Sequence, residues 1–513
     1  MVNFNFSYAP GTTLQQMIGF EMAGRVWSSY LSDPVTINIH VGVSSSLPGN
    51  AIGGALPGIE SAQNYRSVVR GLEDDVTSLD DQTALPNLQD KSDYEAWFDE
   101  FDRKKGNNKG EKVKTKSINI TRANAKALDL VSAPNELDGV ILFGGLQGSN
   151  FRWSYDFTRS SPTTANTLDF LSTAMHEIAH ILGFVSGVDK PGWLNSLAVD
   201  KDGSEQYKKS LSQRVSYTTP LDLFRYSTTA GEGVNDLSYG SVGGEKFFSI
   251  DGGETAIAHF STGSDRTLGG DGFQASHWKN GATRTGIMAP ALSPEERSTI
   301  SITDLRAFDV IGWDLRPGAY GLNLNLSALQ SQAEVALAQR LRVSVSWLSQ
   351  NTTAAEQLLV SDRANDIDRM IQRSQIYPWG TRSGGGTTPW RQVLDLLEQQ
   401  VVYSNFETLD EEFQLFSETQ STVQMPVFVE FPAAIPPQFQ PVQFSLDLSL
   451  MASKVSEIPQ TASIAIADFR NWFDYLEKSI RRSPQSSRNT PKQNGQRSRK
   501  FTDSQEIVHW TDL

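Results

Sequence analysis

The 513-residue chain has no cysteine and only six histidines. The first absence excludes disulfides, thiolate metal sites and cysteine nucleophiles together, and with them any latency device in which a cysteine caps a metal. It leaves the redox compartment open. No run of about 18 or more apolar residues occurs, so no transmembrane helix is expected. The start, MVNFNFSYAPGTT, lacks the charged beginning and apolar core of a secretory signal. It alternates like a strand instead, with Val2, Phe4 and Phe6 against Asn3, Asn5 and Ser7. The net charge is −14, yet residues 478–500 hold eight Lys or Arg and no acid, so the rest of the chain carries −22. An acidic body disfavours nucleic-acid partners. The basic tail, rich in Ser, Gln, Asn and Pro, is expected to be a disordered, solvated end.

The length suits roughly two to four domains. Residues 13–31 read as an amphipathic helix. VTINIHVGV (35–43) alternates strictly, which puts Val35, Ile37, Ile39, Val41 and Val43 on one face and His40 on the solvent side. Residues 61–72 look helical, and a short helix is expected around residues 94–101 in an otherwise turn-rich region. Residues 138–157 read as one or two strands broken by glycines. A helix is expected at about 168–182, and residues 190–275 are loop-rich. SITDLRAFDVIGWDL is a short helix, with Ser301 and Asp304 as a capping box and Gly312 as its stop. After Pro317 the pattern turns helical, with no Gly or Pro in residues 326–377. A further helix is expected over 390–403, a proline-marked extended segment follows, and one more helix is expected at 463–481. No internal repeat is present.

One stretch carries chemistry: MHEIAHILGFVSGVD, residues 175–189. Leu168, Leu171, Met175, Ile178 and Leu182 step by three and four and form a core-facing stripe. His176 and His180 lie one turn apart on another face, so both imidazoles can reach one ion. Glu177 sits beside the first, placed to act as a base on water held by that ion rather than as a ligand. Gly183 ends the helix, tolerating the left-handed backbone such a stop needs. A third ligand is required. Ser186 is a poor one, because a neutral hydroxyl lacks the donor strength of imidazole or carboxylate. Asp189, His259 and His277 are the downstream candidates. Asp189 suits a turn or supporting role better, and His259 in AIAHFSTG has no accompanying motif. His277 lies in ASHWKNGATRTGIMAPAL, eleven residues before Met288.

That last segment, with the split HExxHxxG, resembles leishmanolysin, a metzincin whose extended motif is interrupted by a subdomain. LDFLSTAMHEIAHILGFVSGVD, PLDLFRYS, FSIDGGETAIAHFSTG and GDGFQASHWKNG are more closely similar to a group of bacterial zinc metalloproteases known mainly from sequence. The resemblance covers roughly residues 1–315. It implies one zinc ion per chain held by His176, His180 and His277, Glu177 as general base and Met288 as the Met-turn beneath the site. It implies a peptide or protein substrate. Where some metzincins have a tyrosine two residues past that methionine, this chain has Pro290. Leishmanolysins are disulfide-rich, and this chain differs.

The implied fold is α+β: a metzincin-like catalytic domain over 1–317, with a twisted mixed sheet, an edge strand, the active-site helix, the Met-turn and a following helix. The 190–275 stretch is its insertion. A helical region (318–423), a Pro-rich segment and helix (424–482) and the basic tail (483–513) follow. Gly144 and Gly145 are expected to let a substrate backbone approach an edge strand just before the active-site helix. The GGDG at 269–272 is not a calcium-binding repeat, and calcium has no other support. The resemblance points to an extracellular protein, while the missing signal leaves cytoplasmic residence or another export route open. Oligomeric state is not legible. Two other readings stand beside the peptidase: a zinc-binding interaction protein without turnover, and a gluzincin with a downstream ligand such as Glu205.

Overall fold

The N-terminal alternation forms strand β1 (Asn3–Tyr8), and Thr13 starts helix α1 (Leu14–Tyr30) with a capping box to Gln16. In the computed structural model these lead into β2 (Thr36–Ser44), β3 (Ala51–Pro57) and β4 (Ile59–Asn64). The structure describes residues 1–374 and 401–404, apart from 45–46, 48–50, 90–92, 103–106, 147–148, 190–217, 232, 241–243, 265, 267–268 and 282. Helices α2 (Tyr65–Asp74) and α3 (Leu79–Ala84), the hairpin β5 (Tyr94–Asp102) and β6 (Asn107–Thr115), β7 (Ser117–Thr121) and α4 (Arg122–Ala127) come next. Then follow β8 (Gly139–Gly144), β9 (Arg152–Ser154), β10 (Thr167–Asp169) and α5 (Phe170–Leu182). The described part of the 190–275 stretch holds a one-turn 3-10 helix (Leu221–Phe224) and two-residue strands, β11 (Arg225–Tyr226), β12 (Asn235–Asp236), β13 (Phe247–Phe248) and β14 (Ala258–His259). β15 (Ala291–Leu292), α6 (Ile302–Val310), α7 (Leu326–Leu341), α8 (Val345–Gln350), α9 (Thr352–Leu359), α10 (Ala364–Ser374) and β16 (Val401–Ser404) complete it.

The main sheet is mixed, in the order β1-β2-β8-β3-β16-β15. β1, β2 and β8 run parallel, with α1 as the first crossover. β3 returns antiparallel to β8. The fold is therefore α+β. One face of the sheet packs on α1 and α5 through an aromatic cluster: Phe20, Phe143 and Phe170 have ring centroids 4.7–5.6 Å apart. Gly19 permits this approach, since a Cβ there would lie 2.6 Å from the Phe170 ring. The opposite face is covered by α10, whose Ile367, Met370 and Ile371 pack with Leu56, Val140 and Leu142.

That second layer corrects several expectations. His40 is not on a solvent face but buried, with Nδ1 2.8 Å from Ser7 Oγ. Burial, then the nearby Arg363 charge, lowers its pKa to about 4. A sheet covered on both faces leaves no solvent side for alternation to report. Residues 61–64 finish a strand rather than open a helix, and residues 94–102 are a strand, because Tyr94, Ala96 and Phe98 share one buried face at period two. Residues 1–420 form one unit, and the second, 421–513, lies outside the described residues. The helices after 317 pack back on the N-terminal part. Arg340 pairs with Glu21, Leu14 N–H donates to Glu356 Oε1 at 2.8 Å, and Ile59 N–H to Ser374 Oγ at 2.9 Å. Residues 401–404 are a strand and not the end of a helix; 390–400, the expected 463–481 helix, the proline-marked segment and the basic tail lie outside the described residues. Among the described residues no helix is long and apolar enough to cross a membrane.

A carboxylate cluster sits where α2, α3 and α6 meet the chain. Oxygens of Asp33, Asp75 and Asp314 lie within 4.8 Å of one another. Burial, reinforced by the neighbouring negative charges, raises Asp33 to about 7, Asp75 to about 8 and Asp309 to about 7. Folding thus favours the protonated forms. Their contribution is complete below the ordinary carboxylate range and is lost as pH rises through about 7–8. Asp75→Asn should flatten the decline of melting temperature between pH 5 and 8.5 and raise it at the upper end. Scanning calorimetry showing the same slope in both chains would contradict this.

Candidate metal centre

All 13 residues of α5 are buried, the two histidines and Glu177 included. The apolar stripe read from the sequence is therefore one side of a helix enclosed on every side. Asp169 caps its start, accepting from Ser172 N–H at 3.1 Å. Two indoles tie down its length: Trp27 Nε1–H donates to the Met175 carbonyl at 2.9 Å, and Trp313 Nε1–H to the Leu182 carbonyl at 2.8 Å. Gly183 then ends the helix at φ +128°. A side chain there would meet Asn124 and Ile311 at 3.3 Å as well as the unfavourable backbone.

Beyond Gly183 the chain enters a knot built on Asp222. Its carboxylate accepts from Ser186 Oγ–H, Gly187 N–H and Thr219 N–H at 2.7–2.9 Å. Ser186 N–H donates to Ser276 Oγ at 2.8 Å. The serine at the position of a missing ligand thus fastens the helix exit to the residue preceding His277.

His277 comes to the helix from 97 positions beyond His180. The Nε2 atoms of His180 and His277 lie 3.1 and 3.2 Å from that of His176. Each Nδ1 faces a main-chain carbonyl: His176 that of Ile287 at 2.7 Å, His180 that of Phe184 at 2.7 Å, His277 that of Gln274 at 3.2 Å. A carbonyl only accepts, so each Nδ1 carries the proton and each Nε2 presents a lone pair inward. Three lone pairs this close cannot bond to one another. A cation between them removes the conflict, and a tetrahedral ion with bonds of about 2.0–2.1 Å separates its nitrogens by about 3.3 Å. Burial, with mutual repulsion for His176 and His277, holds the imidazoles below their ordinary pKa, His180 at about 4. They are neutral and competent as ligands at neutral pH. The trio could hold a metal ion.

Glu177 is 0% exposed, and neither carboxylate oxygen has a hydrogen-bond partner among the described residues. Burial raises its pKa well above the ordinary value. Gly53 of β3 packs against it: an added Cβ there would lie 2.7 Å from Glu177 Oε1 and 3.1 Å from Thr173 Cγ2.

Met288 is fully buried in the turn that follows Gly286. Its carbonyl accepts from Trp278 N–H at 2.9 Å, and its neighbour Ile287 supplies the carbonyl that orients His176. Asp304 organises this turn. Besides capping α6 with Ser301, it accepts from Ile287 N–H at 2.8 Å and from Trp278 Nε1–H at 2.8 Å. Gly286 has to be glycine, because a Cβ would fall 2.0 Å from Asp304 Oδ2. The sequence signalled Asp304 only as a cap, and Asp222 not at all beyond the PLDLF segment.

The remaining sequence candidates lie elsewhere. Asp189 ends a one-turn 3-10 helix, Gly187–Asp189. His259 is in β14, half exposed, 3.9 Å from Glu245. Glu205 lies outside the described residues. Gly144 and Gly145 do not line an edge. β8 is interior, Gly144 opposes Ser44 of β2, and Gly145 N–H donates to the Ser44 carbonyl at 3.0 Å. The backbone that approaches Gly144 is the chain's own β3, with the Ala51 and Ile52 carbonyls 3.4 Å from where its Cβ would be. The carboxylate trio Asp33, Asp75 and Asp314 offers too few oxygens for calcium, which takes about six to eight.

His277→Ala should reduce bound metal from about one ion per chain to near none, whereas His259→Ala should leave it unchanged, as read by elemental mass spectrometry after gel filtration. Retention by His277→Ala would move the third ligand. Compared with models of known protein families, with curated proteins and with solved structures, the chain has no match.

Proposed function

We propose that the chain is a zinc-dependent endopeptidase with a metzincin-like site. The observation that carries this reading is the convergence of three inward-facing Nε2 atoms, with the residue after His176 a buried carboxylate that has no partner among the described residues. A carboxylate held in that way costs several kcal/mol unless something polar or cationic joins it. An all-imidazole, oxygen-poor donor set suits zinc better than calcium or magnesium. When bound, zinc supplies a Lewis acid that polarises the scissile carbonyl and acidifies water.

The chain's own residues do the rest. His176, His180 and His277 keep their ring orientation through the Nδ1–carbonyl bonds, so the site needs no rearrangement to bind its ion. Glu177 takes the proton from the attacking water and returns it to the leaving amine. Its high pKa without a metal falls toward working range once positive charge sits beside it. Pro290 offers no hydroxyl to the tetrahedral intermediate, so stabilisation on that side rests with backbone donors.

Digestion of casein and of a peptide library should be lost on chelation and restored by zinc. Glu177→Gln should keep the metal and lower kcat by about 10²–10⁴-fold. Gly53→Ala, which pushes a methyl against the Glu177 carboxylate, should also keep the metal while losing most activity. Undiminished hydrolysis by Glu177→Gln would remove the mechanism. A chain that binds zinc and cuts nothing would be a metal-binding interaction protein instead.

A further inference from the structure

Strand β3 has two edges. β8 pairs on one, from Gly53 opposite Phe143 to Pro57 opposite Gly139. On the other lies β16, antiparallel, with Val401 opposite Gly54, Val402 opposite Gly53 and Tyr403 opposite Ala51. The far side of β16 pairs in parallel with β15, Ala291 opposite Tyr403 and Leu292 opposite Ser404. A segment more than a hundred residues later in the chain is therefore slotted between two strands that otherwise do not pair.

Both rims of that slot belong to the metal centre. Gly53, the partner of Val402, is the residue packed against the Glu177 carboxylate. β15 begins three residues after Met288, in the segment whose Ile287 carbonyl orients His176. A backbone joined to β3 on one side and β15 on the other thus runs along the level of the reacting groups. Main-chain pairing on a free sheet edge is how extended peptides are taken up. The occupant, Val-Val-Tyr-Ser, is short and uncharged, and three of its four residues are strand formers.

We propose that Val401–Ser404 is an internal occupant of the β3–β15 slot, keeping extended peptides out until it is displaced. The slot and its occupant stand on the strand pairing alone, while their regulation of hydrolysis rests on the peptidase reading. Four residues of pairing form a weak strand, so displacement needs only local opening. A chain without cysteine has no thiol with which to mask a metal, and an internal strand does the same work by occupying the cleft.

The test uses the full chain. Successive N–H groups of a strand point to opposite sides, so Val401→Pro with Val402→Pro removes one donor toward each rim. In a Glu177→Gln background, a fluorescein-labelled peptide of residues 398–407 should bind the double-proline chain at least tenfold more tightly than the parent, by anisotropy. Equal affinity, or binding to neither, overturns the proposal. On the unsubstituted chain, hydrogen exchange at residues 51–54 should be protected, though faster than in β8, as a short and locally opening cover requires. Exchange there at the rate of an uncovered edge overturns it even if the proline variant does not fold. With Glu177 intact, the double-proline change should raise casein hydrolysis at least tenfold, and an unchanged rate in an active chain overturns the block. If the probe binds as expected but neither chain cuts anything, the slot and its occupant stand and the peptidase reading falls.

Discussion

Three hydrogen bonds from histidine Nδ1 to main-chain carbonyls are the constraint around which this structure is arranged. Each fixes a tautomer, and only that tautomer turns Nε2 into an inward ligand. The three carbonyls come from unrelated places: Phe184 just past the helix break, Gln274 in the loop before His277, and Ile287 in the buried turn. Placing three acceptors to that accuracy requires three rigid segments, and a rigid segment without long secondary structure must be tied by side chains. That is the work of Asp222 and Asp304. Each is a buried carboxylate whose oxygens accept several backbone and hydroxyl hydrogens, so its charge is satisfied while it holds a turn closed.

Glu177 contrasts with the ion-paired buried acids. Asp138 is paired with Lys126 at 2.7 Å, Asp236 with Lys246 at 3.0 Å, and Glu60 with Arg122 at 2.7 Å. Each of these three acids has a cation beside it. At Glu177 the fold supplies neither a cation nor a donor among the described residues, and it presses the α-carbon of Gly53 against the carboxylate. The uncompensated group follows His176 in the chain, on the helix that carries two of the three inward lone pairs.

Legibility followed chain distance. His176, Glu177, His180 and Gly183 were readable because one helix turn and its stop carry them, and the structure gives each the local geometry the spacing implied. His277 was readable only through a resemblance, since nothing local in ASHW says which helix it will meet. The least legible element was β3. AIGGALP carries no strand pattern, because Gly53 and Gly54 remove the side chains that would show one. Yet Gly53 is glycine where Glu177 leaves no room for a Cβ. The feature that lets the strand reach the site is the one that hides it in the sequence. The misassignment of Gly144 and Gly145 follows from this, because without β3 the strand β8 looks like an edge. His40 reads as solvent-side for a related reason: the charged groups that act on it, Asp362, Arg363 and Asp366, lie more than three hundred residues away in sequence.

The region after residue 317 thus has two relations to the sheet, and they differ in kind. Helix α10 covers a face with Ile367, Met370 and Ile371, an apolar contact whose loss would expose a hydrophobic layer. Strand β16 covers an edge by backbone pairing over four residues. A face must stay covered for the sheet to exist. An edge must be covered only against unwanted partners, and a short strand does so reversibly. The edge left to so slight a cover is the one whose glycine packs against Glu177, so a cover of four residues lies where an exchangeable partner would matter.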